Sequence, residues 1–172
     1  MHSRLNLTAR LTAILALITV LAACAVTQAP APVEDRTVDQ RVRAPAAEEA
    51  RGLQVYPLRN PAVTELTEAA AEAERNGDLD RAASLLERAL RIEARDPELL
   101  QNMAEIRLGQ GQWDQADSYA RRSFDVGPRV GELCQRNWRT MALARERLQQ
   151  FEQAHEARER LAGCQVEPPP RF

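Results

Sequence analysis

A six-residue pattern that returns after 34 residues constrains this chain more than any other feature of its sequence. Residues 77–82 read GDLDRA and residues 111–116 read GQWDQA, and Leu90 and Phe124 extend the match in the same register. A fixed period of this length is typical of stacked helix-turn-helix units, because one unit cannot bury its apolar face alone. We therefore predict an all-α fold built from repeated helix pairs.

The helix starts and the turns of these units have a local physical basis. Residues 60–61 (Asn-Pro) and 96–97 (Asp-Pro) each place a side chain that can cap a helix directly before a proline suited to the first helical turn. Gly77 and Gly111 stand where the first helix of a pair must turn into the second, a position that favours a residue free to take positive φ. One helix pair is therefore predicted to begin at residue 61 and turn at Gly77, and the next to begin at residue 97 and turn at Gly111.

A third and more degenerate copy follows. Residues 149–154 read QQFEQA and come 38 residues after 111–116, which puts a four-residue insertion between Gly127 and Cys134. The period, the turns and the paired helices resemble the tetratricopeptide (TPR) family. The resemblance covers residues 61–164 and implies a TPR domain of about three helix pairs.

The TPR resemblance also implies a binding surface. In that family the concave groove is lined by side chains from the first helix of each pair, and such a groove binds another protein. The alternative interpretation of the matching positions is ordinary exposed helix surface. The groove positions in this sequence are Glu68, Glu98, Gln101, Asn102, Glu105, Arg136 and Arg139.

The amino-terminal segment has the order of a secretory signal. Two basic residues, Arg4 and Arg10, precede an apolar run over residues 11–20 that is too short to span a bilayer. The run ends in Leu-Ala-Ala-Cys at residues 21–24, which resembles the lipobox of bacterial lipoproteins. That resemblance implies removal of residues 1–23 and acylation of Cys24, and Ala at position 25 implies the outer membrane. A plain cleaved signal with a coincidental cysteine is the alternative.

Between the anchor and the repeats, residues 24–60 are rich in proline and small residues and lack sustained apolar periodicity. Such a segment cannot bury enough apolar surface to order itself. We predict a lipid-anchored flexible linker over residues 24–60. The proline-rich residues 165–172 are predicted to be a disordered tail.

Two cysteines remain when Cys24 is acylated, and the secretory signal implies an oxidising compartment. Cys134 precedes the first helix of the last pair and Cys164 follows the second, so an antiparallel hairpin makes them neighbours. We predict a disulfide between them. The alternatives are two buried free thiols, or a metal site that includes His155.

The sequence offers little for catalysis. It holds two histidines, of which His2 leaves with the signal, and it contains no glycine-rich phosphate loop, metal-ligand cluster or nucleophile elbow. The formal net charge of −2 provides no basic excess for nucleic acid. We therefore expect no catalytic residue, no metal and no cofactor, with a carboxylate pair acting as acid and base as the alternative.

A lipobox, a linker and one TPR domain together resemble the outer-membrane lipoproteins of the LpoP type, which activate bifunctional peptidoglycan synthases. Residues 136–139 (RNWR) add to that resemblance. It implies a protein partner in the periplasm or the membrane, a class A penicillin-binding protein, with the chain held by lipid on the periplasmic face of the outer membrane. The alternatives are a pilotin or another assembly scaffold of the envelope.

Overall fold

The computed structural model describes residues 38–49 and 59–165. Every regular element in these two ranges is helical, which confirms the predicted all-α class. None of the described helices combines the length and apolar character needed to cross a bilayer. Helix α1 joins two parts, Asp39–Arg43 and Ala44–Glu49; it is followed by α2 (Pro61–Arg75), α3 (Leu79–Ile92), α4 (Pro97–Gly109), α5 (Trp113–Val126), α6 (Gly131–Arg147), α7 (Phe151–Glu159) and a 3-10 turn (Arg160–Cys164).

Helices α2 to α7 form the three predicted pairs. Each helix packs against the next one along the chain, and α4 also contacts α6, so that the first helices of the second and third pairs lie side by side. Alanines make much of the contact between helices, and Ala82, Ala116 and Ala154, which share one position of the repeat, are all fully buried. A small side chain at this position lets the helices of a pair approach closely.

The helices begin where the sequence predicts. The side chain of Asn60 accepts a hydrogen bond from the backbone N–H of Ala62 at 3.0 Å, and that of Asp96 accepts one from Leu99 at 2.9 Å. Both caps precede a proline in the first turn. Capping satisfies backbone donors that have no partner within the helix, and so it defines the start of α2 and α4.

The three turns within the pairs have the same geometry. Gly77 and Gly111 take φ of 75° and 74°, as predicted, and Gln149 takes φ of 61° at the matching place in the third pair. In each turn the next residue donates its N–H to the carbonyl five positions earlier, over 2.8 to 2.9 Å. The third copy therefore keeps the turn although it has lost the glycine.

The prediction of a flexible linker over residues 24–60 is wrong for residues 38–49. These residues form α1, in which Asp39–Arg43 has π-helical and Ala44–Glu49 α-helical hydrogen bonding. Val38, Val42 and Ala46 repeat every fourth residue and are at most 1% exposed. Three apolar residues are too few to stabilise an isolated helix, so the burial comes from contact with the repeats. The signal segment 1–23, Cys24, and the remainder of the predicted linker and tail lie outside the described residues, apart from residues 59, 60 and 165.

The structure joins Cys134 to Cys164 through a disulfide, with their Cα atoms 5.6 Å apart. Cys134 lies in the first turn of α6, which begins three residues before it, so this helix is longer than predicted. Cys164 ends the 3-10 turn after α7. Because the 3-10 turn packs on α6 and no further helix follows within the described residues, the bond fastens the open end of the repeat stack.

Replacing Gln149 with glycine is expected to stabilise the domain. An L-residue in the left-handed region costs roughly 1 to 2 kcal/mol, which glycine removes, whereas the greater chain entropy of glycine in the unfolded state offsets part of that gain. We expect Gln149→Gly to raise the free energy of unfolding by about 0.5 to 1 kcal/mol in urea titrations. Gly77→Ala is the matched control and should lower the free energy of unfolding by a similar amount, because it places an L-residue at positive φ. A Cβ at Gly77 would meet nothing within 4 Å, so no steric clash adds to that cost. Equal free energies of unfolding for the parent chain and the two variants would contradict this explanation.

The disulfide is expected to stabilise the domain through the loop of 30 residues that it closes. The chain-entropy model gives about 3 to 4 kcal/mol for a loop of that size. We expect the Cys134→Ala, Cys164→Ala double variant to lose about that much free energy of unfolding, and reductant to lower the stability of the parent chain but not of the variant. Titration of thiols in denatured, unreduced chain provides the check, and two free thiols would contradict the bond.

Candidate partner-binding groove

One face of the repeat stack, which we call the groove, is formed by the first helices of the three pairs, α2, α4 and α6. The side chains that line it include Thr67 and Glu74 from α2, Asn102 from α4, and Glu132 and Arg136 from α6. Helix α1 lies in this groove and contacts α6 along its length. The predicted binding face is therefore already partly covered by the chain itself.

The centre of the groove is the carboxylate of Glu105, which is fully buried. Its Oε1 accepts hydrogen bonds from Nε of Arg136 at 2.7 Å and from Nε2 of Gln101 at 2.9 Å. Its Oε2 accepts from Nη2 of Arg136 at 2.8 Å and from Nε of Arg43 at 2.6 Å. We call these four residues the Glu105 network. Since a buried charge is tolerated only when it is paired and hydrogen-bonded, the network determines how α1, α4 and α6 fit together.

The pKa of Glu105 reflects two opposing effects, burial and the charges of the neighbouring arginines. Burial by itself raises the pKa of the carboxyl group, but the positive charges of Arg136 and Arg43, with the hydrogen bonds from Arg136 and Gln101, outweigh it and lower the pKa to about 2. Burial likewise disfavours the charge on Arg136, and Glu105 reverses that effect and raises its pKa. Glu105 is therefore a permanent anion that holds two guanidinium groups, and its low pKa makes it a poor general acid.

Two neighbouring side chains extend the Glu105 network across α4 and α6. Gln101 donates to Oγ1 of Thr140 at 2.8 Å, and Arg136 donates to Oδ1 of Asn102 at 2.8 Å. Gln101 and Thr140 are fully buried, so the amide of Gln101 donates its hydrogen bond to the Glu105 carboxylate from the interior of the domain. A side chain in that position cannot contact a partner.

Helix α1 contributes both charge and apolar contact to the groove. Besides its bond to Glu105, Arg43 forms an ion pair with Glu74 at 2.7 Å. Val38 and Val42 belong to a buried cluster with Leu108 of α4 and Leu143 and Ala144 of α6. The ion pairs orient α1, and the two valines cover apolar surface that the first helices would otherwise expose.

Beside α1 the groove keeps a cavity of about 480 Å³. Its walls combine Asp39 and Arg43 of α1 with Thr67 and Ala71 of α2, together with the α4 and α6 side chains named above. The lining thus combines charged side chains with apolar ones such as Leu86 and Ile106.

The structure brings together only part of the predicted groove. Asn102, Glu105 and Arg136 meet at its centre, whereas Glu68 lies on the outer side of α2 and lines a separate shallow cavity. Glu98 forms an ion pair with Arg59 at the start of α4. Of the two remaining positions, Gln101 is interior and Arg139 lies in another cavity, beside Arg41 and Pro45 at the far side of α1.

Thr67, Glu74 and the whole of α1 are groove elements that were not predicted from the sequence. Thr67 and Glu74 were missed because the orientation of a helix about its axis decides which of its polar residues face the groove. Residues 38–46 carried a usable signal, since Val38, Val42 and Ala46 follow a spacing of four. The pattern spans only two helical turns amid charged residues and prolines, and it gains meaning only from the surface that it meets.

The described residues contain no three His, Cys, Asp or Glu side chains arranged to hold a metal ion. His155 is well exposed on α7 and lies 3.3 Å from Glu159, and Cys134 and Cys164 are bonded to each other. The three residues of the alternative metal site therefore do not converge.

The comparisons with known proteins agree with this architecture. A family model described as a tetratricopeptide repeat matches residues 73–122. Among solved structures, the globular C-terminal domain of P. aeruginosa LpoP matches with a TM-score of 0.57 and 34% sequence identity; the match covers 61% of this chain and 99% of that domain. No curated protein sequence matches the chain significantly.

Replacing Glu105 with glutamine is expected to destabilise the domain in a pH-dependent way. The partly buried guanidinium groups of Arg43 and Arg136 would lose the buried carboxylate between them, and breaking a buried ion pair typically costs about 3 kcal/mol or more. The carboxyl pKa is about 2 in the folded state and 4.5 ordinarily. The stabilisation by Glu105 is therefore complete above about pH 5 and is lost as the pH falls through 2.

We expect the difference in free energy of unfolding between parent and Glu105→Gln to be large at pH 7 and to shrink steadily below pH 5. Urea titrations from pH 7 to pH 2.5 measure it. Glu87→Gln is the matched control, because Glu87 pairs with Arg107 while its side chain is 46% exposed. That change should cost less than about 1 kcal/mol. A difference that did not vary with pH would contradict the assignment of an ionised Glu105.

Proposed function

Because this chain belongs to the tetratricopeptide-repeat family, together with the globular C-terminal domain of P. aeruginosa LpoP, we propose that it is a lipid-anchored module that activates a bifunctional peptidoglycan synthase. The partner is a class A penicillin-binding protein. The domain contributes a binding surface, and the synthase contributes the chemistry.

The observation that carries the proposal is the likeness to LpoP over 99% of that domain, at an identity of 34%. The features of the groove in this chain also support the proposal. Its central carboxylate is held permanently charged by arginines, and its walls present apolar and charged positions side by side. These are properties of a recognition surface.

The proposed location rests on residues 21–24, whose Leu-Ala-Ala-Cys resembles a lipobox. Cys24 would carry the acyl chains on the periplasmic face of the outer membrane, and more than one chain suffices for stable anchoring. Between Cys24 and α1 lie residues 25–37, which span at most about 45 Å when fully extended. The segment before α2 would extend that reach further if α1 left the groove.

The experiment compares binding to the organism's own class A synthase, using the full mature chain with Cys24→Ser to keep it in solution. We expect the parent to bind and to raise the rate of glycan polymerisation. Ala71→Arg, which fills the cavity beside α1, should weaken binding about tenfold, equivalent to about 1.4 kcal/mol. Ser84→Arg on the exposed face of α3 is the matched control and should change nothing.

In cells, the Cys24→Ala variant should be absent from the membrane fraction and should not activate the synthase. The purified variant should still bind the purified synthase. Recovery of secretin or pilus components without any synthase would contradict the proposal and favour a pilotin. If Ala71→Arg and Ser84→Arg change the affinity for the synthase equally, the interface lies outside the groove.

A further inference from the structure

Helix α1 has the features of a ligand held in its own binding site. Val38, Val42 and Ala46 form one stripe at intervals of four residues, and all three are buried in the groove. Arg43, directly after the second valine, reaches the carboxylates of Glu105 and Glu74. This is a helix-in-groove contact, with small apolar anchors on one face and a charged residue that determines the register.

The repeats keep their own core without α1. The cluster that joins α2, α3 and α4 contains Val63, Leu86 and Met103 and no residue of α1, and a second cluster joins α4 to α7 in the same way. Glu105 would also keep its two bonds from Arg136 and its bond from Gln101. Departure of α1 therefore leaves the buried carboxylate paired.

Without α1, the side of the groove that holds Arg43 would be acidic and apolar. Glu74 and Glu105 pair with Arg43, and Glu132 lines the same cavity, in which Arg136 is the one cation among the side chains contributed by α2, α4 and α6. Leu108, Leu143 and Ala144 form the apolar floor beneath Val38 and Val42. The surface complements a helix that brings a cation and small apolar side chains.

Helix α1 is also suited to leave. It comprises Asp39–Arg43 and Ala44–Glu49, a length at which an isolated helix is marginal in water. Pro45 lies inside it and has no N–H to donate, which weakens it further. Its helical structure thus depends on the groove, and its advantage over an external ligand is that the chain tethers it nearby.

We propose that α1 is a built-in occupant of the groove, and that the external ligand is a basic helix of the partner with the same register, two small apolar residues four apart followed by an arginine. The partner helix takes the place of α1, and the released segment lengthens the connection to the anchor. This inference rests on the proposed function only in assigning that helix to a synthase.

The test uses the full mature chain with Cys24→Ser and a fluorescent peptide with the sequence of residues 38–49. Val42→Asp and Arg43→Glu in the chain should each release α1, while Gln40→Asp on its exposed face should not. Hydrogen exchange should show lost protection of residues 38–49 in the two release variants and unchanged protection in α4 and α6.

The peptide should bind the two release variants roughly tenfold or more tightly than it binds the parent or Gln40→Asp, because their groove is open. Peptides that carry Val42→Asp or Arg43→Glu should lose that binding. Equal affinity for all four chains, or lost protection in α4 and α6 of both release variants, would overturn the proposal, since α1 would then be a fixed part of the domain.

Binding of the synthase separates this inference from the proposed function. If the release variants bind the synthase more tightly than the parent, both stand. If they bind the peptide as expected but no chain binds the synthase, the built-in occupant stands and the proposed function fails. If the parent binds the synthase while the peptide does not distinguish the chains, the occupant fails and the function stands.

Discussion

The buried carboxylate of Glu105 is the interaction on which the groove depends. Taking a charge out of water is so unfavourable that the surrounding helices must supply donors for it, and here they come from α1, α4 and α6. Arg136 binds both carboxylate oxygens in a two-pronged contact whose geometry tolerates little displacement. The relative position of the second and third pairs is therefore determined by polar contacts as well as by apolar packing.

Elsewhere the stack relies on small residues. Alanines such as Ala82, Ala104, Ala120 and Ala157 are fully buried at helix contacts, and large aromatic side chains are few in this chain. Helices that approach closely leave little volume to fill, so a core of alanines, leucines and methionines suffices. The aromatic residues Phe124 and Trp138 gather instead between α5 and α6, with ring centroids 4.7 Å apart and Arg129 over Phe124.

Covering a groove with a tethered helix solves two problems at once. The apolar floor formed by Leu108, Leu143 and Ala144 is kept from water, and the acidic wall at Glu74 and Glu105 is neutralised by Arg43. A covered surface of this kind is protected from unspecific association while its ligand is absent. If the chain is anchored through Cys24 as proposed, the same contact would also link occupancy of the groove to the length of the connection to the anchor.

The sequence by itself determined the helix pairs, their caps and their turns, because these are local properties. Asn60 and Asp96 cap through bonds that span two or three residues, and Gly77 and Gly111 take the φ that their positions require. The likeness of residues 149–154 to the earlier turns was likewise enough to locate the third turn at Gln149.

Only the tertiary structure decided what meets in the groove. Glu105 pairs with residues 62 and 31 positions away, and Gln101 with one 39 positions away. No spacing rule connects such positions, which is why Gln101, Glu68 and Glu98 were all assigned to the groove and residues 38–49 to the linker. The physical reason is that burial of a polar side chain, or order in a weak helix, depends on the surface opposite, and that surface exists only after the pairs have stacked.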